Sequence, residues 1–162
     1  MRYILCVLIV LCAYMAGSAA AKSEKERLTT LSSARSFLRF ILHRTEYTHD
    51  SVCEIFLHFR NETLERNGFL ALLNSGGVRR MNERWTKATL LLSLPKRSEE
   101  AFLRLGEELG RLSYEEQRNR ILLCDSILKT DEDELGSSLP SRTKCIRTVS
   151  TLAGLLAGIL II

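Results

Sequence analysis

Few side chains in this sequence could do chemistry. They are His43, His49 and His58, the thiols Cys53 and Cys124, and three carboxylate pairs at Glu99-Glu100, Glu107-Glu108 and Glu115-Glu116. The histidines lack the His-Glu-x-x-His spacing that converges two imidazoles on zinc, and no Cys-x-x-Cys completes a tetrahedral set, so no metal site is expected. Cys53 with His49 or His58 has the residue types of a thiol–imidazole dyad. A cysteine held in a disulfide cannot supply the thiolate such a dyad needs. The glutamate pairs fall early in helical stretches or on their wet faces, where solvent and the helix dipole account for them. There is no Gly-x-Ser-x-Gly elbow, and Ser75-Gly76-Gly77 lacks the Lys-Ser/Thr of a phosphate loop. The chain is expected to be non-enzymatic and to need no cofactor.

Two patterns point to binding or modification instead. Asn61-Glu62-Thr63 is an N-glycosylation sequon in a secreted chain, or else Asn61 caps the helix beginning beside it. Arg79, Arg80, Arg84 and Lys87 form the most basic local patch, and Arg80, Arg84 and Lys87 share a helix face. That stripe is a candidate dock for an acidic glycan or protein; the plainer alternative is a solvated face. Trp85 lies in the same stretch but in phase with Val78 and Met81, which places it in the core.

The ends frame these elements. Met1-Arg2, the apolar Ile4 to Met15 and the small residues Ala16 to Ala21 read as a signal peptide, residues 1–21, cleaved before Lys22. At the other end, Gly136, Ser137 and Ser138 precede a polar spacer and an apolar run of 14 residues, 149–162. Such a run spans roughly 21 Å as helix, short of the ~30 Å hydrocarbon core of a bilayer. Small site, spacer and tail are the order of a glycosylphosphatidylinositol (GPI) attachment signal, with 139–162 removed on anchoring to Gly136, Ser137 or Ser138. The formal charge of +4 comes from Arg2, Arg142, Lys144 and Arg147, all in the ends; what remains is balanced at 19 acidic residues against as many basic ones. Nucleic-acid binding is therefore not expected. Of five cysteines, Cys53 and Cys124 remain between the cuts, and a disulfide joining them is expected in an oxidising compartment.

Residues 22–130 carry helical spacing throughout and no sustained strand alternation. Ser23/Glu26, Ser51/Glu54 and Ser113/Glu116 are capping boxes that open helices. Tyr47 to Asp50 reads as a turn, Asn74 to Gly77 as a helix stop, and Pro95 as the end of the helix that begins at Val78. Gly106 and Gly110 weaken the helix whose apolar face is Phe102, Leu105, Leu109 and Leu112. Residues 131–138 form an acidic stalk with the anchor site. The expected fold is all-α, a compact bundle of about five short helices stapled by Cys53–Cys124.

Leader, neutral helical domain, acidic stalk, small-residue site and apolar tail together resemble the variable merozoite surface antigen family of babesial parasites. The resemblance lies in this layout. It implies a GPI-anchored coat protein on the outer leaflet of the plasma membrane, acting in host-cell attachment through a surface glycan or protein receptor. A soluble secreted helical ligand or effector is the alternative.

Overall fold

The computed structural model describes residues 2–47, 52–76 and 80–161. The chain is all-α, with seven helices and no strand among the described residues. They are α1 (Arg2–Tyr47), α2 (Val52–His58), α3 (Glu62–Arg66), α4 (Phe69–Asn74), α5 (Met81–Leu91), α6 (Lys96–Glu108) and α7 (Tyr114–Ile161). The bundle of about five short helices is thus replaced by two very long helices flanking five short ones. The turn expected after Tyr47, the capping position Ser51 and the helix opening at Val78 lie outside the described residues.

The two long helices have a local cause. Ala19-Ala20-Ala21-Lys22 are strong helix formers with no breaker before Ser23, so Ser23 sits inside α1 and does not open it. In α7, the acidic run and the small residues 136–138 are likewise helical. Pro140 is accommodated within the same helix. The third capping box does open its helix: the Ser113 amide and hydroxyl donate to Glu116 at 3.2 and 2.8 Å. Those two bonds hold the Glu116 carboxyl below the usual glutamate range.

The chain divides into two compact units. One comprises Thr29–Asp133, the other the residues up to Leu28 and those from Glu134 onward.

The larger unit is organised around aromatic rings. Phe37 of α1 meets Phe56, Phe59 and Phe69 with ring centroids 5.4, 5.1 and 5.4 Å apart. Trp85 of α5 stacks on Phe102 of α6 at 4.9 Å, and its indole N–H donates to the Phe102 carbonyl at 2.7 Å. Phe37, Phe69, Trp85 and Phe102 are fully buried. Each such side chain contributes roughly 1.5–3 kcal/mol through the area removed from water, and their tilted and edge contacts add specificity. Pro95 stands at the N-cap of α6 and Gly110 follows that helix with φ +80°, a left-handed stop that glycine adopts without strain.

Polar contacts between distant segments tie the helices of this unit together. Arg35 of α1, its side chain 11% exposed, donates to Asp125 at 3.0 Å and to Glu132, both on α7. Burial alone would lower its pKa, but the hydrogen bonds to the two carboxylates outweigh that effect and raise it, fixing the guanidinium as a cation. Ser98 of α6 donates to the buried carboxylate of Asp131. With the Glu108–Arg120 ion pair at 3.1 Å, this sets α6 and the facing part of α7 antiparallel.

The expected disulfide is not found. Cys124 is a free, buried thiol, and the side chain of Cys53 lies outside the described residues. Cys124 instead packs as a small apolar side chain at the α6–α7 contact, a common use of an unpaired cysteine.

The smaller unit is an antiparallel helix pair. Gly17 of α1 lies so close to α7 that a Cβ there would stand 2.6 Å from the Ser150 Oγ, and Arg142 pairs with Glu24 at 3.9 Å. Ala21, one turn on from Gly17, is also buried. Small residues at this spacing allow the two backbones to approach closely.

Candidate functional site

Among the described residues, no group of three or more His, Cys, Asp or Glu side chains could hold a metal ion. His43 and His58 are exposed, and His49 lies outside the described residues. Cys124 is no nucleophile: burial pushes its thiol up to about 12, so it stays protonated at neutral pH.

The remaining sequence candidates have structural surroundings of their own. Asn61 is the N-cap of α3, its side-chain oxygen accepting from the Leu64 amide at 3.1 Å. Arg84 donates to the carbonyls of Leu73, at 2.9 Å, and Gly76, closing the C-terminal end of α4. Arg80 is the N-cap of α5 with φ 68° and Lys87 is exposed. The docking stripe therefore has one member at a helix boundary and one clamping backbone carbonyls. Arg79 lies outside the described residues. Gly136, Ser137 and Ser138 are helical; the Ser137 and Ser138 hydroxyls donate back to Glu134 and Leu135 at 3.0 and 3.2 Å.

Two surfaces stand out that residue-by-residue reading passed over. One is a cavity of about 220 Å³ along the α6–α7 contact of the larger unit, with Leu105, Leu123, Cys124 and Ile127 on its floor and arginines and glutamates on its rim. The other belongs to the smaller unit, where large apolar side chains of both helices face solvent: Leu11, Tyr14 and Met15 on α1, and Val149, Leu152 and Leu156 on α7, each more than half exposed. Large apolar side chains left in solvent on both helices of one unit are candidates for an interaction surface. The helical spacing of the first surface and the apolar ends were visible in the sequence. That the two ends pair with each other was not.

These features define an all-helical protein with a helical unit packed on aromatic rings and a second unit made by the pairing of two apolar helix ends. The chain belongs to the stage III sporulation protein AB family, whose model matches residues 2–162. Comparison with curated proteins and with solved structures gives no match.

This membership overturns the resemblance to babesial merozoite surface antigens, because the family is one of bacterial sporulation proteins. The resemblance rested on layout, and two apolar ends around a balanced helical middle are a layout that unrelated proteins share. The antigenic coat, host-cell attachment, a host glycan or protein receptor and the secreted-effector alternative are set aside with it. So is the GPI anchor on an outer leaflet, whose attachment belongs to eukaryotic cells. Among the described residues, no helix is long and apolar enough to cross a membrane.

Proposed function

We propose that this chain is a non-enzymatic helical component of a bacterial sporulation assembly, acting at stage III and held at a lipid surface by its paired apolar helix ends. The family match over residues 2–162 carries the first part of this reading. A non-enzymatic role is supported by the work its polar groups already do: Glu116 and Asn61 cap helices, Arg84 closes α4, and Arg35, Asp125 and Glu132 join α1 to α7.

The lipid contact is supported by the apolar side chains that both helices of the smaller unit leave in solvent. The sequence adds a run of 19 residues, 3–21, without a charged side chain, and Lys22, Glu24, Arg142 and Lys144 cluster where that pair becomes polar. Apolar side chains flanked by lysines and arginines match the depth profile of a bilayer, hydrocarbon below and headgroups above.

Deletion of the gene in a spore-forming bacterium tests the reading. Sporulation should stop at stage III, and the full chain supplied in trans should restore heat-resistant spores and fractionate with membranes. Normal spore yield in the deletion strain would remove the sporulation role. Recovery of the restoring protein in the soluble fraction would remove the lipid contact.

A further inference from the structure

The outer face of α6 carries a charge order that is its own complement. Arg97, Glu100, Arg104 and Glu107 are all exposed, and none forms an ion pair among the described residues. At these spacings they lie along one stripe of the helix, three turns long, in the order plus, minus, plus, minus. A second copy of the same stripe laid antiparallel, with the two-fold axis passing near residue 102, brings Arg97 opposite Glu107 and Glu100 opposite Arg104, twice over. A parallel arrangement in register would face like charge with like. Ala101 beside the axis is small enough to let the two helices approach to ordinary packing distance, about 8–10 Å.

The same edge of the larger unit is the mouth of the α6–α7 cavity, where Leu123 is 53% exposed and Ile127 is half-buried. These apolar side chains give the contact an area to remove from water. Exposed ion pairs contribute little stability alone; their value lies in fixing register and orientation.

We propose that the chain self-associates as a two-fold dimer through α6, in the antiparallel register Arg97–Glu107 and Glu100–Arg104, with Leu123 and Ile127 covered at the flank. An isologous contact of this kind closes after two copies. The inference rests on the charge order of α6 and not on the sporulation role, so either can fail without the other.

Charge exchange on the full chain in mild detergent, followed by sedimentation, tests it. Arg97→Glu with Arg104→Glu makes the stripe wholly acidic, and Glu100→Arg with Glu107→Arg makes it wholly basic. Each variant should self-associate about tenfold or more weakly than the parent, since like charges then face each other. Mixed in equal amounts, the two should recover the two-copy species. Unchanged thermal unfolding confirms that these exposed substitutions leave the fold intact, and weakening of the parent dimer with added salt provides a reading independent of the variants. A parent that stays single-copy at every concentration, a parent dimer indifferent to salt, variants that associate as the parent does, or a mixture that does not reassociate would each overturn the proposal.

Discussion

Gly106 of α6 is the seat of Trp85. A Cβ at position 106 would stand 2.0 Å from Trp85 Cδ1 and 2.4 Å from Cγ and Nε1, distances that only the absence of a side chain permits. The indole cannot step aside, because its N–H is held by the Phe102 carbonyl at 2.7 Å and its ring stacks on Phe102. On helix propensity alone Gly106 weakens α6; in the folded protein it lets α5 and α6 meet around the largest side chain in the core.

Gly106→Ala should therefore destabilise the protein although alanine is the better helix former. Propensity gains about 1 kcal/mol, while forcing a methyl into a packed indole costs about 1–3 kcal/mol or more. The net loss is read as a lower midpoint in urea. Trp85→Leu alone leaves a cavity, but combined with Gly106→Ala it should cost clearly less than the sum of the two single changes, the non-additivity expected of side chains in contact. Additive costs would show that the close approach carries no strain.

Arg35 and Arg39 make a paired contrast on one helix. Both approach Asp125, but the Arg35 side chain is 11% exposed and the Arg39 side chain 63%. Arg35→Met strands the half-buried Glu132 carboxylate and leaves Asp125 only the exposed Arg39, and should cost up to about 3 kcal/mol. Arg39→Met removes a screened surface pair and should cost under about 1 kcal/mol. Adding Asp125→Asn and Glu132→Gln to Arg35→Met should return part of the loss, because the uncompensated charges disappear. Chemical denaturation of the four proteins checks the ranking.

The apolar pair of the smaller unit offers a separate measurement. Leu152→Asp and Leu156→Asp place carboxylates on side chains now 54% and 66% exposed. Water tolerates both changes, whereas hydrocarbon penalises each buried aspartate by about 2.5–3.5 kcal/mol at the centre of a helix. Thermal unfolding should stay nearly unchanged while co-sedimentation with phospholipid vesicles is lost. Vesicle binding equal to that of the parent would place this face away from lipid.

Helical class was legible from spacing because a helix repeats its own signal along the chain. The Ser113–Glu116 box was legible for the same reason: all its partners lie within one turn. What escaped was whatever depends on distant segments meeting. Ser23–Glu26 has the same local pattern as Ser113–Glu116, yet Ser23 lies inside α1, because nothing before it stops the helix. The pairing of Cys53 with Cys124 followed from counting thiols in a compartment inferred from the ends, and no count shows whether two residues far apart in the chain come within bonding distance. The pairing of Gly17 with Ser150, and of Arg35 with Asp125 and Glu132, joins positions about a hundred residues or more apart. In one sequence these appear only as small residues in two apolar ends and as opposite charges on two helices.

Cys124 gives a pH dependence with a definite sign. Its thiol moves from an ordinary value of 9.0 to about 12, through burial first and the neighbouring Asp125 charge second. In the folded protein the proton is held, while the unfolded chain releases it near 9. The unfolded state thus gains stability as pH rises between those values, and the fold loses the contribution across that window, at up to about 1.4 kcal/mol per pH unit for one proton. Below pH 9 the thiol contributes no slope. Cys124→Ala should unfold with a shallower fall in stability between pH 9 and pH 11 than the parent, since alanine has no proton to lose. The same burial predicts that a disulfide reagent at pH 8 labels Cys124 at a rate set by opening of the α6–α7 contact, slowly in buffer and at once in denaturant. Rapid labelling of native Cys124, identified by peptide mapping, would show that the thiol is reachable and that α6 packs on α7 too loosely to bury it.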